Sequence, residues 1–362
     1  MNTNLFLTGY PGFLASSLIE QLLHDHHKQI DHIYLLVLPN MRHKATEELK
    51  KTANDPSKFT VVTGDITQQG LGIETSMNQE LQNKITHVFH LAAIYDLAVP
   101  KDIAYQVNVL GTNNVNTWVK ELPNLQRYIY FSTAYVSGKR EGKIYEHELE
   151  MGQSFKNHYE QTKYMAEVLV EEMKDKVPTT IIRPGVVKGH SKTGYTIKFD
   201  GLYFMLNMLD KLRFLPFVPY IGDGEAEGNF VPADYVLQAT SYLSIDPIGE
   251  GKTYHLTDPK PYKMWELQKM LTEHYLGTTP KGKIPLDFAR TPLRWRPIRK
   301  WLQAEPEAMD YFTTTSSYDC SQTVKDLEGS GITCPDLKDT LKPMVYFYRK
   351  YKDDFTRQIE FD

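Results

Sequence analysis

The sequence predicts an α/β protein, a doubly wound parallel sheet with a smaller C-terminal lobe. Three observations lead there. Short runs rich in β-branched and aliphatic residues alternate with helical stretches through the first half of the chain. Those runs are apolar almost throughout, as strands buried on both faces must be. A turn holding two glycines joins the first run to the first helix.

Taken in order, NLFLTG reads as strand one and FLASSLIEQLLHDH as the helix after it. HIYLLVL, KFTVVTGD and THVFHLAA are strands two to four, and AYQVNVLGTNNVNTWVKEL is a helix. RYIYFSTAYV is strand five, SFKNHYEQTKYMAEVLVEEM the next helix and TTIIRPGVV strand six. NFVPADYVLQATSYLSI and KTYHLTD read as a helix and a strand that return to this core. The expected boundaries are 1–190 for a nucleotide-binding domain and 191–227 for a first lobe segment. Residues 228–258 return to the core, and 259–362 form the C-terminal lobe.

Bulk properties narrow the function. The 362 residues are 41% hydrophobic and 24% charged, with a net charge of -4. That composition fits a soluble globular enzyme, and bulk charge suggests neither nucleic acid nor an anionic membrane as partner. Cys320 and Cys334 form no CxxC or secreted-scaffold pattern, so a reducing cytoplasm is expected. MNTNLFLTGY lacks the features of a signal peptide, and no apolar run approaches ~18 residues. The His24, His26 and His27 cluster sits at a polar helix end and reads as solvated.

In TGYPGFLA, Gly9 permits a tight turn, Gly12 lets backbone approach a diphosphate, and small Ala15 lets helix pack on strand. Tyr10, Phe13 and Leu14 complete the turn, and the diphosphate would lie on free N–H groups at the helix start. This is the Rossmann arrangement. Asp65, followed by Ile66, ends strand three, where its carboxylate either accepts from an adenine amino group or caps the next turn. Strand two ends without the acid that an NAD site places on the ribose. Arg42 and Lys44 follow it and could neutralise a 2′-phosphate, the alternative being a solvated loop. NADP(H) is therefore the expected cofactor, with NAD(H) left open.

Tyr159 and Lys163, four residues apart in YEQTK, share one helical face. Lowering a tyrosine pKa from ~10 to about 7 needs roughly 4 kcal/mol. Two unit charges at ~4 Å and an effective dielectric of about 20 supply that much. The pair is a candidate general acid/base. Ser132 and Thr133 end strand five, and Asn108 lies in the preceding helix.

Six segments, TGYPGFLA, HLAA, NVLGT, STAYVSG, YEQTK and IIRPGVV, stand in the order and spacing of the extended short-chain dehydrogenase/reductase superfamily, which the chain resembles. The resemblance implies Tyr159 as acid/base and Lys163 as the residue that lowers its pKa and bonds the nicotinamide ribose. It implies Thr133, with Ser132 as its alternative, as hydrogen-bond partner of the substrate oxygen, and Asn108 as holder of a relay water. Leu91, Ala92 and Ala93 of HLAA, and Pro184, Gly185, Val186 and Val187, would contact the cofactor.

The stretches DGLYF, LDKLRFLPFVP, GDGEAEGNFVPADYV, HLAAIYDL and STAYVSG resemble, more narrowly, the acyl-CoA and thioester reductase branch called the male-sterility type. This implies a lipophilic thioester or aldehyde reduced with NADPH. No adenylation or carrier domain is read in the chain, which leaves a free aldehyde, ketone or alcohol open. Two other readings share the motifs: an NAD-dependent sugar-nucleotide epimerase or dehydratase, and a non-catalytic NADP(H)-binding redox sensor. The superfamily implies a homodimer as one oligomeric state. WRPIRKW, from Trp295 to Trp301, reads as an exposed amphipathic turn, with contact to a CoA phosphate or a membrane surface as alternatives.

Overall fold

A computed structural model describes residues 3–53, 55–95, 99–313 and 315–359, without the side chains of residues 307 and 308. Asp96 and Leu97 of the HLAAIYDL stretch lie outside the described residues.

Seven strands form one parallel sheet: β1 (Thr3–Thr8), β2 (Ile30–Val37), β3 (Phe59–Thr63), β4 (His87–His90), β5 (Arg127–Phe131), β6 (Thr179–Pro184) and β7 (Thr253–Leu256). Their spatial order is β7-β6-β5-β4-β1-β2-β3, and every neighbouring pair is parallel. The order reverses between β1 and β4. In such sheets a crevice opens there, at the carboxyl ends of the strands. Register follows the apolar pattern: Leu7 stands beside Leu35 on one side and Phe89 on the other.

Helices cover both faces. On one, α1 (Phe13–His26), α2 (Arg42–Thr52) and α6 (Ala233–Ile245) bury Leu18, Leu22, Ala45 and Val236 against Leu5, Leu7 and Ile33. On the other, α3 (Thr75–Lys84), α4 (Gly111–Lys120) and α5 (His158–Glu171) bury Leu81, Trp118 and Val170 against Phe6, Val88 and Tyr128. Alternate residues of one strand, such as Leu5 and Phe6, thus serve opposite layers. A second core joins the helices Tyr203–Leu212, Met264–Leu276 and Leu337–Tyr351 through Leu206, Leu271, Met344 and Tyr348.

Several elements differ in extent from the sequence reading. Strand five stops at Phe131 because the Thr133 side chain accepts from Tyr135 N and starts a tight turn over Ala134–Ser137. The next helix begins at His158, where Asn157 caps it by accepting from Glu160 N. TTIIRPGVV divides after Pro184, and Val186–Lys188 leaves the sheet to pair with Phe230–Pro232. The helix before β5 starts earlier, at Lys101, and carries a π-helical stretch over Tyr105–Leu110. Such wide turns concentrate at functional sites, and this one contains Asn108.

Candidate active site

The expected site residues come from the carboxyl ends of six neighbouring strands. Gly9 follows β1, Arg42 and Lys44 follow β2, and Asp65 follows β3. Leu91 to Ala93 follow β4, Ser132 and Thr133 follow β5, and Pro184 to Val187 end β6 and lead away from it. The carboxyl ends of the strands therefore carry this set, while Asn108, Tyr159 and Lys163 come from helices.

The glycine turn fits a dinucleotide. Gly9 has φ +95°, and a Cβ there would come within 2.9 Å of Ala92 N. A Cβ on Gly12 would meet the Gly9 carbonyl at 2.6 Å. No side chain caps the start of α1 at Gly12, so the N–H groups of its first turn stay available to an anion. Tyr10 is buried and leans on Ala45 of α2, with its hydroxyl 3.5 Å from that carbonyl. It thereby ties the turn to the helix bearing Arg42 and Lys44, both exposed and free of ion pairs among the described residues. Phe13 and Leu14 are partly buried, and the Phe13 ring lies 6.2 Å from that of Tyr195.

Asp65 accepts from both Thr67 N and Thr67 Oγ1 at 2.8 Å, an Asx turn that fixes the loop after β3. The Ile66 carbonyl accepts from Asn114 of α4, and its side chain is buried.

The two hydroxyls at the end of β5 part company. Ser132 donates to the buried carboxylate of Glu167, which also accepts from Arg183 Nε at 2.7 Å. The Thr133 hydroxyl accepts from Tyr135 N at 3.3 Å and stands near enough to the Tyr159 phenol to lower its pKa. Alternation along an extended chain sends neighbouring side chains to opposite sides, so Ser132 serves the interior and Thr133 the cleft.

Tyr159 keeps partial solvent access, yet protein packs densely around its hydroxyl. Burial pushes its pKa up to about 12, offset in part by the nearby Thr133 hydroxyl. Lys163 is buried on the same helix, and burial pulls its pKa down to about 7 against the nearby Glu167 carboxylate. Its ammonium donates to the Tyr130 hydroxyl at 2.8 Å and to the Phe131 carbonyl at 2.6 Å, and lies 4.3 Å from the Tyr130 ring centre. The expected depression of the Tyr159 pKa by Lys163 is thus corrected. In this arrangement desolvation dominates, and the ammonium is engaged by β5.

Asn108 is buried and fully occupied. It accepts from Ile94 N at 2.9 Å and donates to Ile94 O and Thr162 Oγ1, each at 3.0 Å. It clamps the segment after β4 to the helix carrying Tyr159. In Pro184 to Val187, Gly185 leaves room for Asn229, whose Oδ1 would lie 2.6 Å from a Cβ there.

Residues that motif reading passes over complete the site. The Tyr130 ring lies 5.7 Å from that of His90. Thr112 Oγ1 lies 3.0 Å from His90 Nε2, and His90 Nδ1 lies 2.8 Å from Thr8 Oγ1. Thr8 accepts from Ala92 N at 3.1 Å. Burial holds His90 neutral, with its pKa drawn down to about 3. A buried string of contacts thus runs from Lys163 to the residue before Gly9. The only sequence signal for it is polar residues on otherwise apolar strands. Among the described residues no group of three or more His, Cys, Asp or Glu could hold a metal.

Comparison with known proteins was informative. The family described as male sterility protein, an NAD-binding family, matches residues 7–240. Fatty acyl-CoA reductase wat of Drosophila melanogaster is 26% identical over 273 residues, covering 65% of this chain and 52% of that protein. Fatty acyl-CoA reductase 2, chloroplastic, of Arabidopsis thaliana is 24% identical over 358 residues, covering 74% and 56%. The chain thus spans little more than half the length of these two relatives. Among solved structures, the terminal R domain from the myxalamid PKS-NRPS biosynthetic pathway superposes with a TM-score of 0.79 at 26% identity, covering 99% of this chain and 93% of that one.

Proposed function

The chain belongs to the male sterility protein family of the extended short-chain dehydrogenase/reductase superfamily, an oxidoreductase family with a nicotinamide-binding domain, and from that premise we propose that it reduces a lipophilic acyl thioester, aldehyde or ketone with NADP(H). The observation that carries this reading is that Thr133, with Tyr159 close by, and the glycine turn at Gly9 both follow the carboxyl ends of strands in one parallel sheet. We take the site of action to be the cytoplasm, in line with two unpaired cysteines.

When bound, the dinucleotide supplies the hydride that reduces the carbonyl carbon. The chain's own task is then the oxygen. Thr133 donates a hydrogen bond to it, and Tyr159 gives it a proton as negative charge develops. A tyrosine pKa near 12 keeps Tyr159 protonated at neutral pH, the form a reduction needs at the outset. Lys163, one helical turn away and anchored by the Tyr130 hydroxyl and the Phe131 carbonyl, would bond the nicotinamide ribose. Asn108 holds the Ile94 backbone against this helix. Gly9, Gly12 and the start of α1 would cradle the diphosphate, and Arg42 and Lys44 a 2′-phosphate.

The test is incubation with NADPH and separate acyl-CoAs, long-chain aldehydes, ketones and nucleoside-diphosphate sugars, with products identified by mass. Reduced acyl products support the reading. Conversion of the sugars alone, or no NADPH oxidation with any carbonyl compound, overturns it.

A further inference from the structure

We propose that the outer end of the second lobe is a docking surface for an anionic lipid bilayer. Two stretches meet there. Tyr220–Ile221 pairs with Lys283–Ile284, and Lys281 N donates to the Val218 carbonyl at 2.9 Å, so residues 218–222 run beside 281–284. The helix Arg296–Leu302 packs on Tyr203–Leu212, which leads directly into the first stretch.

The side chains sort by direction. Leu293 and Leu302 are buried in the lobe core, and Ile298 packs against it. Phe214, Phe217, Phe288, Trp295 and Trp301 point outward, with Phe214 and Phe288 each 71% and Trp295 66% exposed. Scattered single apolar residues on a surface are ordinary, but Phe288, Trp295 and Trp301, three large exposed aromatics in one short stretch, with Phe214 and Phe217 exposed on the other, are not. Residues 281–301 also carry seven Lys and Arg against one Asp, in a chain of net charge -4. Arg294, Arg296 and Lys300 flank the tryptophans and have no ion pair among the described residues.

Charge complementarity selects the occupant. Aromatic rings interleaved with cations suit the headgroup region of a membrane, where the rings reach the acyl boundary and the cations meet anionic headgroups. A nucleic acid would use the charges but not Leu215, Pro216 and Pro297, which are exposed among them. The surface lies outside the residues assigned to catalysis, and lipid binding is read without turnover. Its failure and the failure of the proposed function are therefore distinguishable.

The experiment is co-sedimentation of the purified chain with vesicles of phosphatidylcholine alone, or of phosphatidylcholine with phosphatidylglycerol. Bromine-labelled acyl chains serve in a parallel fluorescence measurement. The expected result is binding to the anionic vesicles, weakened by salt, with tryptophan quenching lost in the Trp295→Phe/Trp301→Phe variant. Arg294→Glu/Arg296→Glu/Lys300→Glu should bind at least about 100-fold more weakly, from the loss of three attractive charges at roughly 1 kcal/mol each, with an unchanged thermal midpoint. Absence of binding at low salt, or equal binding by wild type and the charge-reversed variant, overturns the proposal. So does a stable dimer dissolved by Phe288→Ser/Trp295→Ser, or binding confined to an acidic carrier protein.

Discussion

The Lys163 ammonium lies 2.8 Å from the Tyr130 hydroxyl, on the strand next to its own helix. The Tyr130 ring in turn packs near His90, which is hydrogen-bonded to Thr8 just before the glycine turn. The lysine is held from below before any ligand reaches it. In Tyr130→Phe the ammonium keeps only the Phe131 carbonyl of its two protein partners. Losing a hydrogen bond to a charged group should cost about 1.5–3 kcal/mol of stability, measured by urea denaturation.

Lys163 also sets a pH dependence of stability. Its pKa falls from 10.5 in the unfolded chain to about 7 in the folded one. Between those values the unfolded state binds the extra proton, so this group's contribution rises with pH across the window and is flat below it. Lys163→Met should flatten the unfolding free energy between pH 7 and 9 relative to wild type, by at most about 1.4 kcal/mol per pH unit. Equal slopes in the two proteins would place the lysine in solvent.

Ser132 and Thr133 should separate cleanly. Ser132 donates to Glu167 in the interior, whereas the Thr133 hydroxyl stands near the Tyr159 phenol. Thr133→Ala is expected to lower kcat by about 100-fold or more, as loss of a donor to a developing oxyanion does. Ser132→Ala should keep kcat within a few-fold while lowering the thermal midpoint. The reverse ranking would exchange their roles.

Glu167 and Arg183 form a buried ion pair. Glu167→Gln leaves the guanidinium buried beside a neutral partner and should destabilise the fold by about 3–5 kcal/mol, read by chemical denaturation. Glu167→Gln/Arg183→Met, which removes both charges, should recover a large part of that loss.

Arg42 and Lys44 stand exposed just beyond β2, where no acid is present. If they meet a 2′-phosphate, Arg42→Ala/Lys44→Ala should raise the KM for NADPH roughly 10- to 100-fold, as loss of charge-assisted bonds implies. The KM for NADH should barely move. A matched rise for both cofactors would remove these residues from cofactor choice.

Much of the architecture was legible in the sequence. The strands are short apolar runs set off by glycine and polar turns, and α1 occupies the residues that its pattern marks out. A doubly wound sheet leaves few other ways to bury such runs. The ends of elements were less legible because local hydrogen bonds decide them. Thr133 stops β5 by bonding Tyr135 N, and Asn157 rather than Ser154 starts the following helix.

At the site, the motif residues can be named from spacing, but their partners cannot. Lys163 and Tyr159 lie one turn apart, which says nothing of whether Lys163 turns toward Tyr159 or toward Tyr130. Tyr130 and His90 lie far from Lys163 along the chain, and only the fold brings them to its side, whereas Glu167 is its neighbour one helical turn on. The pKa of Tyr159 likewise depends on the packing around it, which no local pattern records.

The most direct test is single-turnover oxidation of NADPH with a long-chain acyl-CoA or aldehyde, in wild type and in Tyr159→Phe. NADPH affinity is measured separately by fluorescence titration. The predicted result is unchanged NADPH affinity with turnover reduced about 100- to 10,000-fold, the range associated with a lost general acid. Turnover by Tyr159→Phe equal to wild type would contradict the account.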